Sequence, residues 1–77
     1  MDGRLMNLAE KVAAARLPTG PIRRSIRLAA RVTLREMADE LGVTPMTVLR
    51  WEQGVEPHRD RAIRYRKLLD ALREVSG

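Results

Sequence analysis

The run from Thr33 to Gly54, TLREMADELGVTPMTVLRWEQG, carries more local instruction than any other part of the chain. Thr33-Leu34-Arg35-Glu36 reads as a capping box: the Thr33 hydroxyl accepts from the third helical amide, and the Glu36 carboxylate reaches back to the cap amide. The helix that starts there turns Met37, Ala38 and Leu41 inward and stops at Gly42, where a left-handed residue is needed to reverse the chain sharply. Thr44-Pro45 then restarts a helix, with Thr44 as cap and Pro45 in the first turn, where a missing amide donor costs nothing. That helix runs to about Gln53 and stops at a second glycine, Gly54. On its wheel Val48 and Trp51 point one way. Met46, Arg50 and Gln53 point the other, with Leu49 at the edge, and an exposed Met and Leu beside an Arg call for a functional reason.

The rest of the chain fits the same class. No stretch alternates with period two, Phe is absent, and each apolar pattern has helical spacing, so the fold is expected to be all-α with five helices. A first segment, about Asp2 to Leu17, places Leu5, Leu8, Val12 and Ala15 on one stripe and ends at the turn Pro18-Thr19-Gly20-Pro21. A second, about Pro21 to Arg31, is expected to bury Ile22, Ile26, Ala29 and Ala30 and to carry Arg24 and Arg31 opposite. A loop, Val55 to His58, leads to a last helix of about Arg59 to Val75 with the stripe Ala62, Tyr65, Leu68, Leu69, Leu72 and Val75. A chain of 77 residues makes one small domain. We divide it into an N-terminal helix and turn, 1–20, expected to close a thin core, and a main unit, 21–77, containing the motif 33–54.

Charge narrows the function. The net charge is +5, supplied by 13 Arg and 2 Lys, and it is segregated: residues 22–35 hold +5 with no acid, whereas residues 36–56 sum to -4. Guanidinium forks match phosphate oxygens and guanine edges. Arg59 and Arg61, next to the loop, are placed for a nucleic-acid backbone. The cluster Arg64, Arg66 and Lys67 has a plainer reading, because Asp60 and Asp70 stand four residues from Arg64 and Arg66. There is no Cys and one His, His58, so no thiolate metal site, disulfide or His-based relay is expected, and we assign no catalytic residue, metal or cofactor. Apolar runs reach only four residues, too short for a membrane span or a signal peptide, so a cytoplasmic protein is expected.

Two capped helices meeting at a glycine turn have the geometry of a helix-turn-helix. The segment from about Ile22 to Leu72 resembles the Cro/repressor (XRE-type) helix-turn-helix domains of phage and bacterial regulators. The residues that carry the likeness are Ile26-Arg27, Leu34-x-x-Met37-Ala38, Leu41-Gly42-Val43-Thr44, Thr47-Val48, Arg50-Trp51-Glu52-x-Gly54, Pro57 and Tyr65-x-x-Leu68-Leu69. The resemblance implies a five-helix Cro/repressor-like bundle whose recognition helix starts at Pro45 and lies in the major groove. At matching positions it makes Pro45, Met46, Thr47 and Arg50 base or groove contacts. It sets the turn at Leu34 and Arg35 against a phosphate, where the family often has Gln for Leu34, so that here only the backbone donates. Thr44, Arg24 and Arg31 join Arg35, Arg59 and Arg61 as expected backbone contacts. Arg31 stands where the family commonly has glycine, which argues against a left-handed cap there. Glu52, on the inward side, needs a partner, and the resemblance supplies Arg27 as a structural ion pair.

The expected activity is sequence-specific binding of double-stranded DNA at a pseudo-palindromic operator, by a phage or prophage regulator acting as a weak homodimer, with no small-molecule ligand. Ile63, Leu5, Met6 and Leu8 are the candidates for the dimer contact. The alternative is an antitoxin-like or scaffold module that keeps the fold and binds protein through the apolar tip Pro45, Met46 and Leu49. Trp51 and Tyr65 read as core anchors, since a base-stacking protein would expose several aromatics.

Overall fold

The computed structural model describes residues 3–76, with side chains from residue 7 onward. The chain forms five helices, α1 (Gly3–Ala14), α2 (Gly20–Ala29), α3 (Leu34–Leu41), α4 (Pro45–Glu52) and α5 (Arg59–Ser76), and there is no strand among the described residues. Helix α3 is capped at both ends by its own sequence. Thr33 Oγ1 accepts from the Glu36 amide at 3.0 Å, the Thr33 amide donates to the Glu36 carboxylate at 2.9 Å, and Gly42 ends the helix at φ 68°. Helix α4 starts on Thr44, with Pro45 in its first turn, and gives way to Gly54 at φ 110°.

The core lies where α3, α4 and α5 meet α2. Met37, Ala38 and Leu41 from α3 pack with Val48 and Trp51 from α4, Tyr65 and Leu69 from α5, and Ile26 from α2. The Trp51 and Tyr65 rings sit 5.1 Å apart at 35°, a tilted aromatic pair buried at its centre. Leu68 and Leu72 of the expected α5 stripe are half-buried against this cluster, but Val75 is exposed near the helix end.

Two expectations from apolar spacing are corrected. Helix α2 does not bury Ile22, Ala29 and Ala30. Ile22 is 44% exposed, Ala29 is exposed and Ala30 is half-buried, while the face turned to the core carries Arg23, Ile26 and Arg27. Two guanidiniums win those places because they find carboxylates and helix-end carbonyls there, which offsets their desolvation. Nor does α1 bury Leu8 and Val12 of its stripe: the helix packs on α5, with Leu8 48% exposed and Val12 also exposed. Its reach into the core cluster comes from beyond its end, at Leu17, with Ala14 and Ala15 half-buried. The side chains of Leu5 and Met6 lie outside the described residues. Helix α1 is held to α5 by a hydrogen bond from the Arg66 guanidinium to the Ala13 carbonyl, and Arg66 also faces Asp70 at 3.6 Å.

Glycine is required at one close approach. A Cβ at Gly20 would lie 2.5 Å from the Glu52 carbonyl oxygen, so the start of α2 fits against the end of α4 only without a side chain.

Candidate nucleic-acid interface

Helix α4 presents Pro45, Met46, Arg50 and Gln53 to solvent and keeps Thr47 and Leu49 half-buried. Its first turn has few free backbone donors. Pro45 has no amide hydrogen, and the Thr47 amide donates to Thr44 Oγ1 at 3.3 Å; the two threonine hydroxyls are 3.0 Å apart. Contact at this tip therefore runs through side chains: two hydroxyls, a proline ring, the Met46 thioether at 55% exposure and, one turn on, the Arg50 fork. Helix α3 is the opposite case. Its capping box uses the amides of Thr33 and Glu36, leaving those of Leu34 and Arg35 without an intrahelical acceptor at the positive end of the helix. The hydrogen bond from the Thr33 amide, and after it the neighbouring Thr33 hydroxyl, hold the Glu36 carboxyl below its ordinary range.

The five cations of residues 22–35 fall into two groups. Arg24, Arg31 and Arg35 are exposed and, among the described residues, make no ion pair or side-chain hydrogen bond. Arg50, Arg59 and Arg61 are likewise exposed and unpaired within the described residues. Arg59 and Arg61 stand in the first turn of α5 beside only Asp60, at the helix end where the macrodipole disfavours cations.

Arg27 and Arg23 belong to the interior. Arg27 grips Glu52 with both sides of its fork, Nε to Oε2 at 2.6 Å and Nη2 to Oε1 at 3.0 Å, while Nη1 donates to the Val32 carbonyl at 2.9 Å. The hydrogen bond to Glu52 raises the Arg27 pKa above its ordinary value against the opposing effect of burial. One guanidinium thus ties α2 to α4 and to the turn that precedes α3, fixing the orientation of the outward face of α4. Tyr65 lies within the same charge group. Its hydroxyl is buried without a hydrogen-bond partner, and burial, then the Glu52 charge, pushes its pKa up to about 12.

Arg23 is one of the five cations that the sequence sets in residues 22–35 without an acid, and the structure takes it out of the solvent. At 2% exposure it donates from Nε to the Pro18 carbonyl at 2.6 Å, from Nη1 to the Trp51 carbonyl at 2.8 Å and from Nη2 to Glu56 Oε1 at 2.6 Å. The available signal was spacing: Arg23 and Arg27 lie three residues before and one after Ile26, on one helical face.

Arg31 provides the second correction. It is the one non-glycine residue with positive φ among the described residues, at 58°. The left-handed cap forms here without glycine.

Among the described residues there is no group of His, Asp or Glu placed to hold a metal, and no helix is long and apolar enough to cross a membrane. A family model described as helix-turn-helix matches residues 24–74, from the middle of α2 nearly to the end of α5. Neither curated proteins nor solved structures gave a match.

Proposed function

The chain belongs to the helix-turn-helix family of Cro/C1 (XRE) type, whose domains bind DNA, and from that premise we propose that it is a sequence-specific transcriptional regulator of the small Cro or repressor kind carried by phages and prophages. The observation that carries this reading is that α4 leaves Met46 and Arg50 exposed while Arg24, Arg31, Arg35, Arg59 and Arg61, from three other helices and their turns, are exposed and make no ion pair among the described residues. Pro45, Met46, Thr47 and Arg50 read base edges in the major groove: Arg50 donates a fork to guanine, and Pro45 and Met46 meet thymine methyls. Arg24, Arg31, Arg35, Arg59 and Arg61, with Thr44 and the free amide at Leu34, hold the flanking phosphates and set register. Association constants measured on a DNA duplex at increasing salt test this. A steep fall, with a log-log slope of roughly -0.9 per phosphate contacted, is expected; an affinity independent of salt would contradict the backbone assignment.

One recognition helix covers too few base pairs to find a unique genomic site, so the protein is proposed to act as a weak homodimer on a pseudo-palindromic operator. The exposed Leu8 in α1 and the half-buried Ile63 in α5 are the described candidates for the contact. Sedimentation of the complex decides: two subunits per operator support the dimer, and one subunit on sites without symmetry refutes it.

The apolar tip of α4 favours one rival, an antitoxin-like or scaffold module that uses Met46, Pro45 and Leu49 to bind protein. Retention on heparin and on duplex DNA at increasing salt separates the two, because the rival has no use for the free arginines.

A further inference from the structure

Arg23 lies one residue outside the segment matched by the family model, yet it is among the most deeply buried side chains of the molecule. Its fork joins three pieces of chain: the α1–α2 linker through Pro18, the end of α4 through Trp51, and the α4–α5 loop through Glu56. A fourth and longer contact, 3.5 Å, reaches the Val55 carbonyl in the same loop. The loop has no regular backbone from Val55 to His58, and Arg59 and Arg61 follow it directly. Glu56 is 68% exposed, so this carboxylate stands at the surface and turns inward only to meet Arg23.

We infer that Arg23 and Glu56 form a latch that positions the α4–α5 loop, and with it Arg59 and Arg61 at the start of α5, for contact with nucleic-acid phosphates. The inference rests on the DNA-binding reading above. It gives a surface acid a role that its charge alone contradicts. A carboxylate three residues from Arg59 weakens attraction to a polyanion, so if Glu56 acted only as a charge, removing it would tighten binding. If it acts as the acceptor that fixes the loop, removing the acceptor loosens the two arginines from register and weakens binding.

Two neutral replacements separate charge from positioning. Gln at position 56 keeps an oxygen that can accept from Arg23 Nη2, and Ala does not. The full chain and its Glu56→Gln and Glu56→Ala variants are titrated against a random-sequence DNA duplex over a range of salt, at a temperature where circular dichroism shows all three folded. The latch predicts that Glu56→Gln binds as tightly as the parent or more so. Glu56→Ala binds about three- to tenfold more weakly, with a log-log salt slope shallower by roughly 0.9, the loss of one phosphate contact. Amide exchange at Val55 and Ala62, whose amides donate to the Arg50 and His58 carbonyls at the two ends of the loop, is expected to quicken in the Ala variant alone. A third variant, Glu56→Lys, sharpens the sign: simple electrostatics makes it the tightest binder, the latch makes it weaker than Glu56→Gln. Equal tightening in Gln and Ala, or Lys binding tightest, overturns the latch while leaving the DNA-binding reading intact. Failure of the parent chain to bind the duplex overturns both.

Discussion

Helices α2 and α4 end in the same turn, built from different residues. After α2 the Val32 amide bonds back to the Arg27 carbonyl at 3.1 Å and the Arg31 amide to Leu28 at 3.0 Å. After α4 the Val55 amide bonds back to Arg50 at 3.0 Å and the Gly54 amide to Trp51 at 3.2 Å. Both are Schellman turns, and both place their pivot residue at positive φ. The pivot is glycine after α4, where the sequence suits the backbone. After α2 it is arginine, where a Cβ crowds the following carbonyl. Both turns are also held from elsewhere in the molecule: the Arg27 fork, itself held by Glu52 on α4, takes the Val32 carbonyl just beyond α2, and the Arg23 fork takes the Trp51 carbonyl at the end of α4. The second turn has a locally encoded glycine pivot besides its tertiary contact, whereas the first, with arginine at its pivot, rests on tertiary contacts alone.

The largest effect is expected from breaking that support. Arg27→Met leaves Glu52 buried without a partner and should cost about 3–5 kcal/mol in urea denaturation. Removing Glu52 alone should cost a similar amount, and the double variant less than the two together; costs that simply add would show that the two side chains act independently. The comparison also predicts where protection is lost, with Val32 exchanging faster than Val55 in Arg27→Met. Next comes the other end of α2. Gly20→Ala drives a methyl toward the Glu52 carbonyl and should cost about 1–3 kcal/mol, the range for overpacking, and a neutral substitution would show that the two helix ends separate easily.

A smaller effect of opposite sign tests the pivot itself. Arg31→Gly removes left-handed strain of roughly 1–2 kcal/mol and restores unfolded-state freedom of roughly 0.5–1 kcal/mol, so a net gain of up to about 1.5 kcal/mol in stability is expected. The same change should weaken binding to all duplexes alike if Arg31 holds a phosphate. Greater stability with unchanged affinity would assign Arg31 no role at the interface. The smallest effect concerns the encoded helix α3. Because the Glu36 pKa is lowered in the fold, its capping contribution is complete above the ordinary carboxylate range and fades as pH falls through the folded value. Glu36→Gln should flatten the pH dependence of stability in that acidic window, and an unaltered profile would mean that the capping box contributes nothing in solution.

Legibility in the sequence followed the range of the interactions involved. The caps at Thr33 and Thr44 and the stops at Gly42 and Gly54 act within four residues, and each stands where local chemistry puts it. Helix α2 was misjudged because apolar spacing ranks Ile22 and Ala29 as inward, whereas burial there was decided by Glu52, Glu56 and the Trp51 carbonyl, each 25 or more residues away. The Arg27–Glu52 pair was reached through the family resemblance, since its partners are distant in sequence. Arg23 was missed for the same reason and had no matching position to help. The stripe of α1 is amphipathic, yet with the core already filled by the other helices its Leu8 and Val12 remain at the surface.

The central claim is that α4 reads base sequence while the surrounding arginines read phosphate, and Arg50 tests it most directly. Duplexes selected by the parent chain from a random pool should contain a preferred guanine, and Arg50→Ala should lose that preference at one position at a cost of about 1–3 kcal/mol while retaining affinity for unrelated duplexes. If Arg50→Ala instead weakened every duplex equally and left the selected sequence unchanged, Arg50 would be a phosphate contact and the assignment of base reading to its fork would be wrong.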